Sequence, residues 1–151
     1  MFQPGNLLYF SPFIFPDGGT PKPKYFLVLA DVDGQLLLAS LPTSKDHVPS
    51  DISLTSGCLE LPERMVNVYV MLSGEPVTDN GYSFRVNTFI YGANIKTYSA
   101  KSFLTQLQNG ATEITLIGKL TDALFNDILK CLGHSDAVRN RFKKLLLGKR
   151  S

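Results

Sequence analysis

Apolar positions in this chain fall into short runs separated by turn residues, and the clearest pair brackets Asp33-Gly34. Residues 25–30 (YFLVLA) and 36–39 (LLLA) are apolar at consecutive rather than alternate positions. Strands apolar on both faces are central ones, covered on each side or curled into a barrel. Asp-Gly between such runs predicts a hairpin, because a tight two-residue turn needs positive φ and Gly supplies it without steric cost. Around this hairpin the pattern predicts strands over 7–10, 57–61, 66–72, 82–92 with a break near Asn87, 95–98 and 113–119. Pro12, Pro16, Gly18, Gly19 and Pro21 mark 11–21 as a loop. Within it Phe13, Ile14 and Phe15 either fold back onto the core or form an exposed contact surface. The period then changes. Phe103, Leu104 and Leu107 predict a short helix over 99–108 capped by Ser99. Leu120, Leu124, Ile128 and Leu132 predict a second helix, capped by Thr121 and ended by Gly133. Ser135 is the expected cap of a final helix with an apolar stripe of Val138, Phe142, Leu145 and Leu146. Short strands in succession, with helices late, make a mainly β fold: a small barrel or two packed sheets, with two-layer α+β as the alternative.

Composition narrows this picture. A chain of 151 residues with 44% hydrophobic content builds one ordinary globular domain. Net charge is +2, but the basic residues are uneven. Residues 1–138 hold nine basic and thirteen acidic side chains, a balance of −4, whereas Arg139, Arg141, Lys143, Lys144, Lys149 and Arg150 follow with no acid among them. A mildly acidic body is not coated for nucleic acid, so any RNA contact is through a local patch or the tail. Cys58 and Cys131 are far apart and form no metal or redox motif. They read as free, buried thiols in a reducing compartment, with a single disulfide as the alternative. The apolar start lacks a basic n-region and is interrupted by Pro4, Pro12 and Pro16, so it reads as folded chain of a cytoplasmic protein without a membrane span.

Candidate chemistry gathers at the open end of the hairpin. Lys22 and Lys24 enter it; Thr43, Ser44, Lys45, Asp46 and His47 leave it. Lys24 and Thr43 are equally far from Asp33-Gly34, so an uninterrupted ladder brings them together. This places a cation beside hydroxyls, an acid and an imidazole.

The opening GNLLYFSPF, the Gly/Pro loop, and then KPKYFLVLA and LASLPTSK resemble the MazF/PemK family, small toxins of toxin–antitoxin pairs. The late IGKLTDALFNDIL is similar to that family's ending. The likeness covers residues 5–48 and 113–132; residues 57–98 match in strand character only. It implies an SH3-like β-barrel, residues 1–133, with two to three helices, the C-terminal ones packed on the barrel; the basic amphipathic helix expected over residues 134–151 extends past the family's usual end. It also implies a homodimer that cleaves single-stranded RNA without metal or cofactor, its groove occluded by an antitoxin. Lys24 falls where the family has the Arg of an Arg-Pro pair, Tyr25 replaces the Pro, and Thr43 and Ser44 match its Thr-Ser.

Metal-free cleavage needs a base for the 2′-OH, a cation or donor for the phosphate, and an acid for the leaving 5′-oxygen. The expected catalytic residues are Lys24, Thr43, Ser44 and His47, with Lys22, Lys45 and Arg85 as RNA-binding residues. Lys24 supplies charge but not the planar fork of Arg; Arg85 supplies that fork if it faces the same groove. Each also has an ordinary reading: solvated lysines at a strand start, hydroxyls ending a strand, a surface histidine, an outward strand arginine. The alternative function is a non-catalytic SH3-like barrel that binds a protein partner or RNA.

Overall fold

The protein is described by a computed structural model over residues 1–43 and 48–148. Ser44, Lys45 and His47, three of the expected site residues, lie outside the described residues, as do Asp46 and residues 149–151.

Among the described residues the strands are β1 (Asn6–Phe13), β2 (Lys22–Val32), β3 (Gln35–Ser40), β4 (Gly57–Leu61), β5 (Val66–Met71), β6 (Thr88–Tyr91), β7 (Lys96–Ser99) and β8 (Glu113–Lys119). The helices are α1 (Ala100–Gln108), α2 (Asp122–Gly133) and α3 (Asn140–Leu146). With 38% strand and 24% helix the fold is mainly β with three helices. The strands form two antiparallel sheets, one ordered β7-β3-β2-β1-β8 and one ordered β4-β5-β6.

The expected barrel does not close. The sheets meet at a corner where the Phe89 N–H donates to the Pro42 carbonyl at 2.9 Å. At the far side β4 pairs only with β5, and α2 packs on both strands instead of a closing strand. Tyr69 on β5 fastens that helix by donating to Asp127 Oδ2 at 2.6 Å. Burial in the first place, and the Asp127 carboxylate in the second, hold the Tyr69 phenol well above its ordinary pKa.

The doubly apolar hairpin is covered on both faces. On one, Leu27, Leu29 and Leu37 join Ile128, Leu132, Val138, Phe142 and Leu146 of the C-terminal segment. On the other, Phe26, Val28 and Leu38 join Phe10, Phe13 and Phe103. The turn has Asp33 at φ 52° and Gly34 at φ 86°, the left-handed pair that a tight hairpin requires. One irregularity matters for function. Val28 pairs with Leu38 but Ala30 with Leu37, so β2 carries one extra residue. Leu29 and Ala30 both enter the same core, and every β2 residue before the bulge is displaced by one position against β3.

Three sequence expectations change. First, β1 runs through Ser11 and Pro12 to Phe13, with Pro12 at a break in the ladder to β2, where a residue lacking N–H is tolerated. Phe13 therefore folds onto the core. Second, only residues 88–91 of the expected strand over 82–92 are strand. In the rest, local partners outcompete the ladder: Thr78 Oγ1 accepts from the Tyr82 N–H at 2.8 Å, and Asn87 Oδ1 accepts from the Ser73 N–H at 2.9 Å. Third, Cys58 and Cys131 are not free thiols but a disulfide, with Cα atoms 5.6 Å apart. Separation along the chain hid this. The packing of α2 on β4 brings the two together, and cysteine usage no longer argues for a reducing compartment.

Ser99 and Thr121 cap α1 and α2 by accepting from the Ser102 and Leu124 N–H groups. Ser135 instead accepts from Ala137 and donates to Glu60, so α3 begins only at Asn140. Its Phe142 and Leu146 are buried in the same core as α2. Replacing Thr121 by Ala should cost about 1 kcal/mol, the usual value of a lost N-cap. A urea denaturation curve checks this, and an unchanged midpoint would show that the cap is idle. No helix among the described residues is long and apolar enough to cross a membrane.

Candidate nucleic-acid interface

The bulge decides where the expected residues go. Phe26 pairs with Ser40 and the Leu41 N–H donates to the Tyr25 carbonyl, so the residue opposite Lys24 is Pro42, not Thr43. Lys24 shares a face with Phe26, Leu38 and Ser40; Thr43 shares the other with Tyr25 and Leu41. The structure therefore places Lys24 and Thr43 in two separate clefts.

The first cleft, about 290 Å3, is lined by Phe15, Lys24, Phe26, Leu38, Ser40, Asn94, Lys96 and Tyr98. Lys96 and Tyr98 project into it from β7 because they are two apart on a strand. Phe15 is held by an edge contact to Phe13, with centroids 5.1 Å apart. Two ammonium groups stand over its ring, Lys24 Nζ at 5.3 Å and Lys22 Nζ at 5.9 Å from the centroid. Burial first, then the charges of Lys22 and Lys96, push the Lys24 pKa below its ordinary value. No described lining residue is acidic. Asp17 is close enough to Tyr98 to help raise its phenol, after the larger effect of burial. Neither Lys22, Lys24 nor Lys96 makes an ion pair with a described residue. Three like charges are thus gathered beside half-buried aromatic rings, with no ion pair to a described residue. Such a cluster has the charge to hold an external anion.

The second cleft, about 430 Å3, brings Thr43 and Arg85 together with Tyr25, Tyr82 and Phe84. Tyr82 Oη donates to Tyr25 Oη at 3.2 Å. Burial, then that hydrogen bond, raise the Tyr82 phenol to about 12, against the opposing pull of Arg85. The Tyr82 phenol therefore keeps its proton at neutral pH. Among the described residues lining this cleft, none is a base that titrates near neutrality.

Of the residues expected from the sequence, Lys24 lines the first cleft with Lys22 over its Phe15 ring, and Thr43 and Arg85 line the second; Phe15, Lys96 and Tyr98 were not among those expected. The signal for Lys96 and Tyr98 was present, since alternate positions of a short strand share a face. Comparison with protein-family models, with curated proteins and with solved structures finds no match to this chain.

Proposed function

We propose that this protein binds single-stranded RNA in the lysine–aromatic cleft, as a non-catalytic relative of the MazF/PemK-like toxins. The observation that carries this reading is the cluster of Lys22, Lys24 and Lys96, without an ion pair to a described residue, against Phe15 and Tyr98. Single-stranded nucleic acid is held by cations on its phosphates and aromatic faces under its bases, and this cleft offers both. Gathering like charges costs a folded protein stability. Folding lowers the Lys24 pKa, so its charge disfavours the native state at neutral pH. The penalty is full below the folded pKa and fades as pH rises towards the unfolded value of 10.5. Lys24→Met should accordingly be no less stable than wild type in urea at pH 7 while binding RNA about tenfold more weakly, the loss of one charge-assisted contact. Fluorescence anisotropy with a labelled single strand measures the second effect. Unchanged affinity in both Lys24→Met and Lys96→Met would remove RNA from this cleft.

A second reading, metal-independent cleavage, draws on the meeting of Thr43 and Arg85 in the other cleft. There the guanidinium would hold the phosphate while a base outside the described residues takes the 2′-OH proton. The 2′-oxygen attacks phosphorus, the 5′-oxygen leaves with a proton, and a 2′,3′-cyclic phosphate remains. Incubation with a long single strand in EDTA, followed by end-group analysis, tests it. Cyclic phosphate ends that vanish in Arg85→Ala would establish the enzyme; intact RNA would leave binding as the function.

A further inference from the structure

Beside the lysine cleft lies a second basic cavity of about 380 Å3, lined by Lys96, Thr97, Arg139, Arg141 and Phe142 together with backbone and small residues around Gly92 and Ala137. It forms where the segment leading into β7 meets the turn between α2 and α3. Lys96 lines both cavities, so the two adjoin around the edge strand β7. No described residue lining either is acidic. The acid on the α2–α3 turn, Asp136, is engaged by Lys143 at 3.5 Å, and Arg139 and Arg141 make no ion pair with a described residue. The Arg141 guanidinium lies 4.8 Å from the Phe142 ring centroid, a contact that leaves its donors available.

We propose that these cavities form one track for the backbone of a single strand, running from Lys22 and Lys24 over Lys96 to Arg139 and Arg141. The proposal rests on the reading of the lysine cleft and extends it: the ligand is a strand several nucleotides long rather than a single nucleotide. The aromatic faces are concentrated at the Lys24 end, on Phe15 and Tyr98, whereas the Arg139 end offers guanidinium groups and the Thr97 hydroxyl. Bases stack at the first and phosphates are gripped at the second. Arg139 and Arg141 of the basic C-terminal segment thereby belong to the binding surface.

The test is the salt dependence of anisotropy-measured binding, for labelled single-stranded RNA of three and of twelve nucleotides. Five phosphate contacts give a slope of log K against log salt of about −3.5, and three give about −2. Wild type should show the steeper slope with the long strand only. Arg139→Ala/Arg141→Ala should drop it to about −2, with at least a tenfold loss of affinity at low salt, and leave the short strand unaffected. Both arginines are exposed and their removal should not disturb the fold, which circular dichroism checks. An unchanged slope in the double variant, with Lys24→Met still weakening binding, would overturn the track and leave the cleft standing. A wild type that binds neither strand would overturn both. Arg139→Glu/Arg141→Glu should weaken the long strand further than the alanine pair; equal binding would also count against the track.

Discussion

Reduction of the Cys58–Cys131 disulfide should lower the unfolding free energy by about 4 kcal/mol, the loop-closure value for a bridge spanning 73 positions. The loop it closes contains β4, β5, β6, β7, α1 and β8, so a reduced unfolded chain recovers the freedom of nearly half the molecule. The native state should change less. α2 remains on β5 through the Tyr69–Asp127 hydrogen bond, and Ile128 and Leu132 remain fully buried. Urea curves with and without reductant measure the difference. Cys58→Ser should match reduced wild type and be insensitive to reductant, because Cys58 is the exposed partner and its replacement leaves no cavity. Identical midpoints for oxidised and reduced wild type would show that the bridge contributes nothing to folding.

Replacing Phe13 by Ala should cost about 4 kcal/mol, within the range for truncating a buried aromatic ring. Phe13 is 1% exposed, with ring centroids 4.5 Å from Phe26, 5.3 Å from Phe10 and 5.6 Å from Tyr98. Neighbours on β1, β2 and β7 cannot all collapse into the space, so transfer and cavity terms add. Phe15→Ala, two positions on, should cost only about 1 kcal/mol because its ring is half-buried and leans on Phe13 from outside. The pair separates the two readings that the sequence left open for residues 13–15. Equal, small losses would mean that Phe13 is a surface residue after all.

Much of the fold was legible because its signals are local. The Asp33-Gly34 turn, the doubly apolar run after Tyr25, and the caps at Ser99 and Thr121 all depend on a few neighbouring residues, and each formed as expected. What failed depends on contacts between distant segments. Nothing near Cys58 announces Cys131; the packing of α2 on β4 joins them. The apolar residues of 82–92 have the composition of a strand, but Thr78 and Asn87 side chains claim backbone groups that a ladder would need.

The site shows how much one residue can displace. Equal spacing from the turn put Lys24 beside Thr43, and an unbroken ladder would have kept them there. The bulge at Leu29 and Ala30 shifts the register by one, and in a strand that sends side chains to the opposite face. The bulge leaves no mark in the apolar pattern, since both of its residues are apolar and buried. It puts the lysines with Phe15 and Tyr98, and Thr43 with Arg85 and the two tyrosines. The lysine and the threonine thereby fall on different faces of one hairpin.

Photo-cross-linking locates a bound strand directly. A twelve-nucleotide single-stranded RNA carrying 4-thiouridine, irradiated with the folded protein and mapped by mass spectrometry, should mark Phe15 and Tyr98 and lose that mark in Lys24→Met/Lys96→Met. Cross-links confined to Tyr25 and Tyr82, with none at Phe15 or Tyr98, would contradict the account and move the RNA to the cleft of Thr43 and Arg85.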